Sequence, residues 1–157
     1  MRIVLLYTDR DPWALGMRSV SSVLKKAGRP TRLIFAGSAE RFYSPRVFEQ
    51  AKNLVQDFDL IGISCLARGS EKAKQIIKHL RPLKKLIVWG GVHATLNPHE
   101  CLDWADLVCR GEGEEMMLEL TEKLQEGNLI GDPTSIYNLR AFLRRKLHTT
   151  GSPNSPS

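Results

Sequence analysis

Cysteine is scarce in this 157-residue chain: Cys65, Cys101 and Cys109 are odd in number and widely spaced. That spacing lacks the close pairs of a zinc or iron–sulfur site and suits reduced thiols, so a cytoplasmic protein is expected. No apolar run approaches the roughly 20 residues needed to cross a bilayer, so no membrane partner is expected. The opening MRIVLLYTDRD lacks the n-region, h-region and cleavage-site order of a signal peptide and reads as a first strand. Neither G-x-G-x-x-G in the first strand–helix turn nor a P-loop is present, which removes the common dinucleotide and triphosphate sites. A clustered basic stripe is also missing from the body of the chain. The net charge is +6, yet residues 1–130 hold 19 of the 23 basic and 16 of the 17 acidic residues. The rest of the excess is Arg140, Arg144, Arg145 and Lys146 against Asp132 in the tail. This distribution argues against a nucleic-acid surface.

What is present is an alternation of apolar runs and helical patterns, with 42% hydrophobic and 25% charged residues overall. Strands are expected at Ile3–Tyr7, Thr31–Ala36, Asp59–Cys65, Leu86–Trp89 and Leu107–Arg110. Helices are expected at Trp13–Ala27, Pro45–Gln56, Ser70–Leu80, Pro98–Trp104 and Glu112–Gln125, the first with Leu15, Val20, Val23 and Leu24 facing inward. Near-continuous apolar strands imply burial on both faces, and the alternation implies parallel pairing through right-handed crossovers. The expected fold is α/β, a flavodoxin-like doubly wound five-stranded parallel sheet of order 2-1-3-4-5. One domain over 1–127 is expected, then a short linker and basic helix candidate and a disordered Ser/Pro-rich tail over 128–157.

In such a sheet ligands collect outside the carboxyl ends of the strands, where the winding reverses. After strand one comes DPWALG, a D-x-H-x-x-G frame with Trp13 where the histidine would stand between Asp11 and Gly16. After strand three comes Ser64-Cys65-Leu66. Ser64 can serve a polar ligand atom or cap the next helix, although Ser70 is better placed to cap. After strand four comes WGGVHAT, where Gly90 and Gly91 indicate close backbone approach, positive φ or a simple tight turn. His93 there is a ligand, an acid–base group or a hydrogen-bonded structural residue, and Thr95 and Asn97 can also cap the helix opened by Pro98. After strand five, Glu114 and Glu115 suit a helix N-terminus, whereas Gly111 and Gly113 around Glu112 point to a ligand edge near the backbone.

Common occupants of this fold are absent. A phosphate-accepting receiver wants an aspartate where Ser64 and Cys65 stand, and a flavodoxin wants a Ser/Thr/Gly-rich loop where DRDPWALG stands. The three elements that remain, D-x-(H)-x-x-G, S-x-L and G-G in order, resemble the cobalamin-binding domain family. WGGVHAT and RGEGE further resemble the amino-terminal domain of cobalamin-dependent radical S-adenosylmethionine enzymes, over roughly residues 1–127.

The resemblance implies cobalamin as cofactor, with its nucleotide tail in a slot between the loops. By that carry-over Ser64 hydrogen-bonds the dimethylbenzimidazole, Leu66 packs near the corrin or tail, and Gly90 and Gly91 leave room for the base. His93, Thr95, Gly111, Glu112 and Gly113 would line the tail and the corrin edge. Indole nitrogen only donates, so Trp13 cannot ligate cobalt. Trp13 is expected either against the lower corrin face or as an apolar residue seating the first helix. The C-x3-C-x2-C loop of a radical enzyme is missing from this sequence. No catalytic activity is therefore expected of the chain alone, and a radical S-adenosylmethionine or methyltransferase domain or chain is the implied partner. The rival expectation is a flavodoxin-like regulatory or interaction module that has lost the cofactor and docks through the basic helix near Leu139–Leu147.

Overall fold

A computed structural model describes residues 1–126. Five strands form one parallel sheet: β1 (Ile3–Tyr7), β2 (Thr31–Phe35), β3 (Leu60–Ser64), β4 (Leu86–Gly90) and β5 (Leu107–Val108), in the order β2-β1-β3-β4-β5. This is the expected flavodoxin-like α/β architecture. The helices are α1 (Leu15–Lys26), α2 (Pro45–Val55), α3 (Ser70–Leu80), α4 (Val92–Leu96), α5 (Pro98–Leu102) and α6 (Gly113–Glu126). The tail and its basic helix candidate lie outside the described residues. No helix among the described residues is long and apolar enough to cross a membrane.

Strands β1, β3, β4 and β5 are buried on both faces because alternate residues feed two separate cores, whereas the edge strand β2 is partly exposed. Val4, Leu6, Ile61, Ile63, Ile87 and Trp89 face the α2 and α3 side. Ile3, Leu5, Tyr7, Leu60, Leu86 and Val88 face α1 and α6. The registers Leu5–Gly62–Val88 and Tyr7–Ser64–Gly90 run across three strands on that second face. Small residues therefore stand opposite α1 and α6 at the carboxyl end of the two middle strands.

Several boundaries differ from expectation, each for a local reason. Helix α1 begins at Leu15, not Trp13, because Ala14 adopts a left-handed conformation (φ 38°, ψ 50°) before the first turn. That entry rotates the helix, so Ala14, Met17, Ser21 and Leu24 are buried while Leu15 is 73% exposed. The expected inward placement of Leu15 is corrected accordingly; Val20 and Val23 are half-buried. Ser70 is the first residue of α3, with Gly69 in the N-cap position and no side-chain cap. Asn97 stands at the N-cap of α5 without capping it, and its Nδ2 donates to the His93 carbonyl at 3.4 Å. The segment 92–96, read as loop, is a short helix.

Candidate functional site

A cleft of about 270 Å³ opens at the carboxyl rim of the sheet, between its α1/α6 face and those two helices. Nine of the twelve residues read in the sequence as the cofactor site line it: Asp11, Gly16, Ser64, Leu66, Gly90, Gly91, Gly111, Glu112 and Gly113. They come from four loops far apart in sequence. The winding reversal between β1 and β3 brings those loops to one edge.

Neighbouring glycines serve different needs. Gly90 closes β4, and a Cβ there would point toward Cys109 Cβ at an ordinary 3.4 Å. Gly91 has φ 90° and ψ −172°, a region only glycine occupies comfortably. A Cβ on it would lie 2.4 Å from Ser64 Oγ and 3.1 Å from the Cys65 carbonyl oxygen. Gly91 thus lets the β4–α4 turn close onto the β3 exit, while Gly90 is the residue that leaves open space. Gly113 fits the packing of α6 on α1, since its Cβ would meet Val20 Cγ2 at 2.9 Å. Gly111 holds φ 72° with open space beside it.

Thr95 lies outside the cleft lining and ties two of its loops. Its Oγ1 donates to the Gly91 carbonyl at 2.9 Å and accepts from the Gly111 N–H at 2.9 Å. His93 is buried on the opposite face of the sheet. Its ring stacks near Trp89 (centroids 5.7 Å) and its Nε2 lies 3.2 Å from Glu100 Oε2. Lys74 beside Glu100 holds that carboxyl below its ordinary range, aided by His93. In the described structure His93 therefore packs between Trp89 and Glu100 behind β4 and does not line the cleft.

Trp13 also stays out of the cleft lining, two residues before Leu15 on its wall, with 71% of its surface exposed. The loop carrying it is held firmly. Asp11 Oδ1 accepts from the Trp13 N–H at 3.0 Å, and Arg18 donates to the Trp13 and Pro12 carbonyls at 2.7 and 3.0 Å. Leu15 and Val92 are exposed and line the cleft, so its entrance carries two apolar side chains.

Two contributors escaped the sequence reading. Gly62 sits inside β3 and faces the cleft one layer below Ser64; a glycine interrupting the apolar run DLIGISC was the available signal. Asp9 is the other. Its side chain is 1% exposed, and its carboxylate accepts from the Leu66 N–H at 2.5 Å and from Arg68 Nε at 3.3 Å. It sets the path of the Ser64–Leu66 turn, and no local pattern announces it.

All three cysteines are free and buried. Burial pushes the Cys65 and Cys109 thiols up to about 11 and Cys101 to about 12. The native protein is expected to resist iodoacetamide at pH 7.5 and to take up three equivalents only once unfolded; fast native labelling would contradict this burial. The folded state favours the protonated thiols, so their stabilising share is complete below the unfolded value near 9. It is lost as pH rises toward 11 to 12, and urea midpoints are expected to fall across that window.

Two curated relatives are a bacteriochlorophyllide d C-8(2)-methyltransferase from Chlorobaculum tepidum and an anaerobic magnesium-protoporphyrin IX monomethyl ester cyclase from Rubrivivax gelatinosus. The first is 28% identical over 82 residues, 52% of this chain and 18% of the relative. The second is 32% identical over 114 residues, 68% of this chain and 20% of the relative. The chain therefore spans about a fifth of the length of these relatives. Residues 1–121 match the model described as "B12 binding domain". With its parallel sheet and a cleft at the winding reversal, this chain belongs to the B12-binding domain family, whose cofactor is cobalamin.

Proposed function

We propose that the chain holds cobalamin with the nucleotide arm in the cleft between the sheet and helices α1 and α6. In this role it is a carrier or front domain for methyl transfer or radical chemistry performed by another domain or chain. The observation that carries this reading is the open cleft beside Gly90 and Ser64, floored by the Leu5 side chain folded over Gly62. A flat base on a flexible arm needs such a gap with few polar anchors. The residues present fit the group. Ser64 would hydrogen-bond the base, Leu66 and Gly90 would flank it, and Asp11, Glu112 and the Gly111 and Gly113 backbone would meet amides at the mouth.

Bound cobalamin supplies a cobalt centre that can carry a methyl group. The protein's share is orientation and exclusion of water. Exposed Leu15 and Val92 on the cleft wall, with exposed Trp13 in the adjoining loop, would give a macrocycle an apolar seat. The methyltransferase among the relatives supports methyl transfer as the chemistry served.

Hydroxocobalamin titration tests the reading directly, with a spectral change and saturable one-to-one binding as the expected result. No binding would favour an interaction module that has lost the cofactor. Trp13→His probes that seat. The Cob(II) form on the wild-type protein is expected to show no axial nitrogen splitting in its paramagnetic resonance spectrum. The variant is expected to gain a threefold splitting, since imidazole ligates where indole only donates. Identical spectra would place Trp13 away from the cobalt.

A further inference from the structure

The cleft has two layers of different chemistry. In the rim layer Ser64 stands beside Gly90 with its hydroxyl toward Gly91, and Tyr7 stands on the far side of Ser64 in the same row. One layer deeper the row is Leu5, Gly62 and Val88, which carries no polar side-chain atom. Met17 and Met117 close the cleft from the helices; their thioethers are weak acceptors, and the Cys109 thiol is a weak donor and weak acceptor. The backbone of β3 is already paired to β1 and β4 across this region, so the ladder has no free groups to offer.

Corrinoids differ in the base that ends the nucleotide arm, which is 5,6-dimethylbenzimidazole in cobalamin and a purine in its adeninyl counterpart. Either base is joined to the arm through its five-membered ring, so the six-membered ring leads into a cleft entered from the rim. The leading edge is two methyl groups in the first case. In the second it is ring nitrogens and an amino group. We propose, resting on the cofactor reading above, that this cleft selects corrinoids by their lower base, taking benzimidazole-type arms and rejecting purine-type ones. The Leu5–Gly62–Val88 layer rewards burial of the methyl edge and leaves the purine amino group without a partner.

The test titrates the full chain with hydroxocobalamin, its adeninyl counterpart and cobinamide, which lacks both arm and base. The adeninyl form is expected to bind at least ~10-fold more weakly than cobalamin, the scale of one buried polar group left unpaired. Cobinamide is also expected to bind more weakly than cobalamin. Equal affinity for the two bases would overturn the selection while leaving cobalamin binding intact. Cobinamide matching cobalamin would overturn it too, because the arm would then not enter the cleft. Binding of none of the three would remove the cofactor reading itself, and the selection with it. Val88→Thr keeps the side-chain shape and adds a hydroxyl to the deep layer. The gap between the two bases is expected to narrow several-fold in that variant, and an unchanged gap would refute the deep layer as its source.

Discussion

Gly91→Ala is expected to lower folding stability by about 2–4 kcal/mol, as a clear drop in the urea midpoint with little change in slope. Two costs combine. A non-glycine residue is strained at φ 90°, ψ −172°, and its Cβ would lie 2.4 Å from Ser64 Oγ. The Ser64→Ala/Gly91→Ala double variant separates them. Removing the hydroxyl relieves the side-chain clash, but not the backbone strain or the 3.1 Å contact with the Cys65 carbonyl. The double variant is therefore expected to recover only part of the loss, giving a coupling of roughly 1 kcal/mol between the two positions. A single variant as stable as the wild type would mean that the β4–α4 turn does not close on β3 as described.

The architecture was legible because its signals are periodic. Apolar runs such as Ile3–Tyr7 and Leu86–Trp89 are buried on both faces, which marks a parallel sheet, and the helices between them leave little choice of connection. The loops were legible as a set for the same reason, since strand ends fix which loops meet. The individual jobs within those loops were harder to read. Gly90 and Gly91 look alike in the sequence, yet one opens space and the other permits a turn, a difference that depends on φ and on the distant Ser64. His93 and Thr95 are adjacent to the glycines in sequence, but the turn of α4 sends His93 toward Glu100 behind the sheet and Thr95 across to Gly111. Leu15 fits an amphipathic stripe that begins at Trp13. The left-handed Ala14 moves the start of the helix and exposes it. Asp9 could not be found locally at all, because its function is a bond to Leu66, 57 residues away.

Gly90→Val is expected to abolish most cobalamin binding while leaving the fold intact, the opposite outcome to its neighbour. Gly90 lies at the end of a strand with no positive φ, and a Cβ there meets only Cys109 at van der Waals distance. Valine favours extended backbone, so the unfolding midpoint is expected to stay within ~1 kcal/mol of the wild type. Its methyl groups would instead occupy the gap beside Ser64, where the base is proposed to lie. One methylene too many in a close-fitting pocket costs roughly 10- to 200-fold, so an isopropyl group is expected to weaken cobalamin by about 100-fold or more. Gly90→Ala should fall between, because a single methyl group takes less of the gap. Cobinamide affinity should scarcely change in either variant, since that ligand has no arm to exclude. A graded loss confined to the arm-bearing corrinoid would locate the base at Gly90. Full affinity in Gly90→Val would mean that the arm lies elsewhere, and that the hollow beside Ser64 serves only the packing of β4 against α6.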